Sequence, residues 1–535
     1  MKERCQRSFV CLVSAGVSCA VVALVCLFLR REAILLCGGE FIYPIDDTYI
    51  HIKMAKTLAE AGTWGIEPGT RAFCSSSPLW TLVLAACYFA FGWNESLPWF
   101  LALLFNLGSV VLICGILRAA GCRFPWCAVL SCAIALAIPV YCTTALGMEH
   151  SMHAFFILAT LLLLVRWQGG SKACGALSCV TAFCATGTRY ESLFFLLPLG
   201  VGLAVVQALA PARERGTRLS PWPFLLLAAA VLPVLIYGGW AVCAGGHFLP
   251  NSLLLKGRFH SASDLVTAVP SLLLHMRPGC LFLYVLAAAL AFCCYLNRMR
   301  TFWSVASASA VIAIGGQLLF ADVGQLCRYE AYLVAVGLTI CLAGAVAAGG
   351  ELNVWTRLGA LAVLFVAFAG RSVDAWRHVT WASSDIRAQQ VTMTRIVSSM
   401  PECDRGCIAL NDLGYLSLHG GAPVLDLWGL GSQDVAELNV RHRGEWDAEE
   451  IEMLMKRHDV RYALLFESWY PRRLMPDGMI EVGYLALEGN RTCGGDKVAF
   501  RATSRLAAEK LHACMKSYDQ KRLPPRAKLV VWPLD

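Results

Sequence analysis

Eleven apolar runs govern what this chain can become: Phe9 to Leu29, then about 97–117, 125–141, 148–166, 173–188, 193–210, 222–244, 278–297, 302–320, 329–349 and 358–372. Each is near the length a helix needs to cross about 30 Å of hydrocarbon, although several are short. In lipid, a segment must satisfy its own backbone polar groups, so runs of this kind fold as helices. Composition agrees, with 57% hydrophobic and only 15% charged residues among 535, against roughly 25% charged in soluble domains. An ordinary soluble protein and a disordered chain are both excluded. The net charge of +8 comes without any Lys/Arg-rich run interleaved with aromatics, so nucleic acid is no partner either.

The basic residues set the topology. Lys2, Arg4 and Arg7 precede the first run and no small-residue cleavage site follows it, so it is expected to stay as a helix with its N-terminus inside. Arg118/Arg123, Arg166/Lys172, Arg213/Arg215/Arg218, Arg298/Arg300 and Arg357 fall in alternate loops, which places those loops in the cytoplasm. A twelfth stretch, Pro78 to Gly92, would invert this parity if it crossed, so it is expected to be re-entrant or interfacial. The expected fold is therefore a polytopic α-helical membrane protein with about 11 crossings. Loops 37–77, 142–148, 188–192, 245–276 and 321–328 open on the outer face, as does everything after residue 373.

After residue 373, charges become frequent and apolar runs shorten to strand length. Ile408–Leu410, Val424–Leu427 and Tyr462–Phe466 read as buried strands, and Ala448–His458 as an amphipathic helix. Two domains are expected: residues 1–372 in the membrane and 373–535 as a soluble α/β domain on the outer face. Most of the 25 cysteines sit singly in apolar runs as small hydrophobes. Cys403, Cys407, Cys493 and Cys514 lie in the polar part, where export would favour one or two disulfides. No Cys/His array has zinc spacing.

The chemistry concentrates in the first outer loop, Ile45-Asp46-Asp47-Thr48-Tyr49-Ile50. Adjacent carboxylates at a membrane surface are costly unless they work. Ile50, Met54 and Leu58 follow at helical spacing, so the pair stands at a helix N-terminus, where the dipole favours negative charge. A plain N-cap role for Asp47 is the competing explanation. Four further polar clusters occur at outer ends of spans: Gly147-Met148-Glu149-His150, Thr188-Arg189-Tyr190-Glu191, Leu249-Pro250-Asn251-Ser252 with Lys256 and Arg258, and Asp322 with Arg328, Tyr329 and Glu330. Any one is explained as a snorkelling anchor. Five on one side indicate a shared polar cavity, with carboxylates for base work and cations for a phosphate.

These residues also match a family pattern. DDTYIHIKMAKTLAEAGTWGIEPGTRAFCSSSPLW resembles the first outer loop of GT-C glycosyltransferases, nearest to the mycobacterial-type arabinofuranosyltransferase group. GMEHSMHAFF, TRYESLFFLLPL, FLPNSLLLKGR, CRYEAYL and NDLGYLSLHGGAPVLDLWGL resemble later segments of that family, in its order. The resemblance implies a GT-C enzyme of the bacterial inner membrane that moves a sugar from a polyprenyl-phosphate donor to a glycan or glycolipid acceptor, with inversion. Asp46 or Asp47 would be the base, and the pattern does not choose between them. Lys256, Arg328 and Arg189 would hold the donor phosphate. Tyr49, Glu149, His150 and Asn251 would line the substrate site. Independently of the resemblance, Asp426 beside Trp428 reads either as a sugar contact, because indole rings stack on sugar faces, or as part of a packed core. His51 and Lys53 depart from the family's Arg-Tyr, Ser252 from its Thr, and Glu149-His150 from its Glu-Thr, which bears on the choice of sugar or acceptor. No cofactor is required by the pattern. Mg2+ is the ion an acidic pair suggests, although two carboxylates make a weak dedicated site.

A transporter or flippase of a lipid-linked sugar is the main alternative. It would place its essential charges at mid-membrane and show repeated halves, and neither is seen in the sequence. The glycines at Gly420-Gly421 and Gly429-Leu430-Gly431 lack a following phosphate-loop lysine and read as turns; His419, His442 and His458 read as isolated surface residues.

Overall fold

The computed structural model describes residues 2–123, 125–209, 220–256, 278–297, 302–348, 354–442, 448–469 and 476–534. Among them, six helices are long and apolar enough to cross a membrane: Val13–Leu36, Leu97–Ala119, His150–Gln168, Ser192–Leu209, Trp222–Cys243 and Phe302–Phe320. Trp126–Ala137 and Val140–Leu146 would make a seventh, bent by 50° at Pro139. Proline lacks the N–H that would continue the helix and clashes with the preceding turn, which accounts for the break. Pro78–Phe91, Leu281–Leu296 and Ala331–Ala347 are apolar but shorter. The run expected at 358–372 lies inside a longer helix, Val354–Ile386.

The chain divides into two compact units. The first comprises Met1–Leu29, Trp99–Tyr237 and Gly257–Arg377. Its centre is Ala331–Ala347, whose buried residues include Tyr332, Leu333, Val334, Val336 and Ile340 around the whole helix. A helix apolar on every side belongs in an interior. Small residues let neighbours close in: a Cβ at Gly337 would lie 2.8 Å from Leu286, and one at Gly108 would lie 2.7 Å from Phe155. Leu24, Leu104, Val180 and Leu235 instead face outward, as lipid-facing side chains do.

The second unit comprises Arg30–Pro98, Gly238–Lys256 and His378–Asp535. The first-loop segment is thus grouped with the C-terminal part of the chain. Helix Asp47–Ala61 packs on Pro78–Phe91 and on the short helix Gly414–His419. Six strands are described: β1 (Cys407–Leu410), β2 (Val424–Asp426), β3 (Val460–Leu465), β4 (Ile480–Leu487), β5 (Lys497–Ala502) and β6 (Ala527–Val531). They form one sheet in the order β2-β1-β3-β5-β4-β6. β1 pairs parallel with β2 and β3, whereas β5, β4 and β6 run antiparallel to their neighbours.

The three buried strands and the helix expected from the sequence are present, the helix as Ala448–Arg457. Ile451, Leu454 and Met455 of that helix pack against Ala409, Leu425 and Ala463 of the sheet. The expected disulfides are absent: Cys403, Cys407, Cys493 and Cys514 are all free thiols. Cys407 points into the core beside Ile451 and Leu425, Cys493 is buried near Asp385 and Asp412, and Cys514 sits on helix Arg505–Ser517.

Candidate active site

The helix Asp47–Ala61 begins directly after Asp46, which takes the N-cap position but makes no side-chain cap bond to its own helix. Its carboxylate is engaged elsewhere. Asp46 Oδ1 accepts from the Tyr415 backbone N–H at 2.8 Å, and Oδ2 accepts from that of Gly414. The Asp46 carboxyl also shares a hydrogen bond with Asp412, whose Oδ2 accepts from Gln390 Nε2 at 2.8 Å. Burial pushes the Asp46 carboxyl up to about 6, against the opposing pull of these hydrogen bonds, and the charge of Asp47 adds to the rise.

Asp47 occupies the first helical position beside this clasp and is half-buried. The two carboxylates therefore differ: Asp46 ties the first loop to the NDLGY segment, and Asp47 carries the charge at the helix N-terminus. Tyr49, expected at the substrate, is fully buried. Its hydroxyl accepts from the Tyr43 backbone N–H at 2.9 Å and its ring stands edge-on to Tyr415. These contacts seat the loop. His419 is not isolated either: its ring lies 4.4 Å from that of Tyr415 and its Nε2 is 3.4 Å from a Glu95 oxygen. His442 and His458 similarly pair with Glu450 and Asp434.

Asn251 and the loop after β2 come together in the same unit. Asn251 Nδ2 donates to the carbonyls of Gly429 and Leu430 and to Gln433 Oε1 at 3.2–3.4 Å, while its backbone N–H donates to Phe73 O. Asp426 accepts from the backbone N–H groups of Trp428 at 2.9 Å and Gly431 at 2.8 Å. Both Asn251 and Asp426 are 0% exposed, and their hydrogen bonds brace this loop. Trp428 is only partly buried and lies 5.8 Å from Trp469, which leaves an aromatic surface at the loop.

Glu149, His150, Arg189 and Arg328 form a second set, in the first unit. Arg189 is clasped by two carboxylates: its Nη1 donates to Glu149 Oε1 at 2.6 Å, and its Nη2 donates to Glu191. Burial alone would raise the Glu191 carboxyl, but Arg189 holds it below its ordinary value. The pairing holds Arg189 above its ordinary value although burial opposes it. His150 Nε2 lies 3.4 Å from Arg189 Nη1, and its ring faces Tyr329.

Arg328 is held differently. It donates to Gln325 Oε1 and to the Tyr329 hydroxyl, stacks over the Tyr329 ring at 4.7 Å and lies 3.2 Å from Met148 Sδ. Its turn is unusual: Gln325, Leu326 and Cys327 have φ of 45°, 59° and 63°, three consecutive left-handed non-glycine residues. Each such residue costs roughly 1–2 kcal/mol, and strain of this kind gathers at functional sites. Glu330 stabilises the turn by accepting from the Gly324 N–H at 2.8 Å and pairing with Arg371.

Lys256 ends the helix Asn251–Lys256, but its side chain lies outside the described residues. A dedicated Mg2+ site does not fit the acidic pair. Both Asp46 oxygens already accept backbone hydrogen bonds, and among the described residues no three His, Cys, Asp or Glu side chains are placed to hold a metal. Sequence reasoning missed Asp412, Gln390 and the Glu330–Arg371 pair. The adjacent Asn411-Asp412 in a Gly-flanked segment was a visible signal for the first, and nothing local marks the others.

Residues 383–508 match a domain family of unknown function, DUF8728. No curated protein matches the chain by sequence. Among solved structures, ArnT from Cupriavidus metallidurans bound to undecaprenyl phosphate aligns at TM-score 0.52 and 13% identity, covering 93% of this chain and 99% of that one. Its apo state aligns at 0.51 and 14%, covering 92% and 98%. The mycobacterial arabinofuranosyltransferase AftD aligns at 0.42 and 14%, over 92% of this chain but 40% of that one. The ArnT alignments run over nearly the whole of both chains, so this chain has the fold of the GT-C membrane enzymes that its first-loop motif resembles.

Proposed function

We propose that the chain is an integral-membrane, inverting glycosyltransferase. It takes a sugar, a pentose such as arabinofuranose or a hexose, from a polyprenyl-phosphate donor and delivers it to a glycan or glycolipid acceptor. The observation that carries this is the unequal acidic pair on an ArnT-like fold: Asp46 is committed to the clasp with Gly414 and Tyr415, while Asp47 stands half-buried at the helix N-terminus. Asp47, the less buried of the two carboxylates, is assigned as the base.

In the reaction, an acceptor hydroxyl attacks the anomeric carbon as the carbon–phosphate-oxygen bond breaks. The hydroxyl proton passes to the Asp47 carboxylate, which is needed because a sugar hydroxyl has a high pKa. The polyprenyl phosphate leaves as an anion and must be met by fixed cations in a poorly hydrated site. Arg328, held through Gln325 and Tyr329, suits that role, and Lys256 is the further cation that the family resemblance gives for it. Arg189 is already clasped by Glu149 and Glu191 and serves to position that cluster.

The alternation of basic loops supports eleven crossings, a re-entrant or interfacial Pro78–Phe91, and a C-terminal domain on the outer, periplasmic side of the inner membrane, with the domain boundary near residue 372. The test of the base is a pair of variants assayed for transfer of labelled sugar in membranes. Asp47→Asn lowers the rate by at least about a hundredfold with its folding intact. Asp46→Asn lowers thermal stability first and activity through it. Wild-type transfer by Asp47→Asn would overturn the assignment.

A further inference from the structure

The second unit contains a polar cavity of ≈ 1130 Å³ that none of the residues discussed above uses. It lies between the segment from Arg387 to Ser399 and the segment from Ser517 to Pro525, with Glu40 on its wall. Four cations line it, Arg387, Arg395, Lys521 and Arg522, against two carboxylates, Glu40 and Asp519. The apolar lining is confined to Leu523, Pro524 and Pro525 among the described residues, too little to hold an acyl chain.

Two of the cations are built into place. Arg387 opens a π-helical turn, Arg387–Val391, which runs into helix Thr392–Ser398 carrying Arg395. An α-helix would rotate residues eight apart well off one face; a π turn holds more residues per turn and brings eight closer to about two whole turns. The two guanidiniums therefore converge on one carboxylate. Arg395 Nη2 is 2.6 Å from Glu40 Oε1, and Arg387 Nε is 3.5 Å from Glu40 Oε2. Each keeps further N–H donors in its fork.

The other two stand on the opposite wall, in the short turn Gln520–Arg522 capped by the Asp519 side chain. Arg522 reaches Asp519 only at 3.8 Å and is 78% exposed, and Lys521 pairs with no carboxylate among the described residues. Tyr518 lines the same wall as these two cations.

We infer that this cavity binds an acidic, carboxylate-bearing saccharide, the acceptor chain of the proposed transfer. Two convergent guanidiniums already grip the Glu40 carboxylate on one wall, and on the other Lys521 and Arg522, the latter only 3.8 Å from Asp519, are exposed to the carboxylates of a ligand. The volume suits several sugar units rather than a single small anion. The inference rests on the glycosyltransferase reading for the word acceptor, and its test does not.

The test is binding of tetragalacturonate to the full-length protein in nanodiscs of neutral lipid, with uncharged maltotetraose as control. Tetragalacturonate binds, the affinity falls with salt, and maltotetraose does not bind. Lys521→Ala/Arg522→Ala, two exposed positions, weakens binding at least about tenfold. Glu40→Gln frees both guanidiniums and tightens it. Equal binding of maltotetraose, or unchanged affinity in the double variant, overturns the inference. So does a double variant that loses affinity for phosphatidylglycerol vesicles while tetragalacturonate is unaffected, which would assign the cations to lipid headgroups. A protein that binds tetragalacturonate but transfers no sugar sinks only the enzymatic proposal; one that transfers sugar without binding any acidic saccharide sinks only this one.

Discussion

Gly414 offers the sharpest perturbation of the clasp between the first loop and the NDLGY segment. A Cβ there would lie 2.6 Å from Asp46 Oδ2 and 2.8 Å from its Cγ, and would also strike the Asp46 backbone carbonyl. Gly414 is not among the residues with positive φ, so alanine suits its backbone and the cost is purely steric. Overpacking of this kind costs about 1–3 kcal/mol. Displacing the Gly414 N–H from a buried carboxylate adds about 1.5–3 kcal/mol, the worth of a hydrogen bond to a charged group. Gly414→Ala should then destabilise the second unit by about 2.5–6 kcal/mol, or about 5–24 °C in Tm for a unit of this size. Transfer should fall at least about tenfold, because a small displacement of the base disrupts the reacting geometry. Gly239→Ala is the control: no heavy atom lies within 4 Å of its Cβ position, and its Tm should stay within about 2–4 °C of wild type. Differential scanning fluorimetry and the transfer assay read both. Wild-type Tm and rate in Gly414→Ala would refute the clasp.

Arg189→Met leaves Glu149 and Glu191 as buried charges without their cation, at a cost of about 3–5 kcal/mol; a melting curve like that of wild type would contradict the structural role of Arg189. Arg328→Met should instead lower transfer with a smaller loss of stability. Asp46 gives a pH signature. Its carboxyl sits at about 6 in the fold against an ordinary 3.8, so the folded state holds this proton more tightly. That contribution is full below about pH 4 and is lost as pH rises through 6. Melts between pH 4 and 7 should show this slope in wild type and a flatter one in Asp46→Asn, and identical slopes would speak against it. Asp426→Ala strips the Trp428 and Gly431 N–H groups of their acceptor, costing about 1–3 kcal/mol for each; faster amide exchange across 426–432 is the readout.

Much of the helical part was legible because its cause is local. An apolar run of span length dictates a helix wherever it lies, and the runs at 97–117, 148–166, 193–210, 222–244 and 302–320 reappear as helices with nearly those bounds. The three buried strands were equally plain, since a short apolar run between turn residues has few other uses. β4 and β6 escaped because their burial is mixed, with a register shift near Glu481 in β4, and β5 because Lys497 and Arg501 interrupt its apolar run. At the site, the sequence marked Asp46 and Asp47 as a pair but held no means of telling them apart. What separates them is a partner more than 360 residues away, Gly414 and Tyr415. Tyr49, Asn251 and Asp426 are polar groups near the motifs, and their burial and bracing hydrogen bonds come from contacts that local spacing does not encode. Long-range pairing of this sort leaves no trace in local spacing.

Sugar transfer from a lipid phosphate is read out by consumption of the donor. Purified wild-type protein and Asp47→Asn, each in nanodiscs, would be incubated with a panel of polyprenyl-phosphate pentoses and hexoses and a mixed glycan acceptor, and the release of polyprenyl phosphate followed by mass spectrometry. One donor should be consumed by wild type with a sugar appearing on the acceptor, and the same donor should persist with Asp47→Asn. Persistence of every donor with the folded wild-type protein, or equal consumption by the variant, would contradict the account.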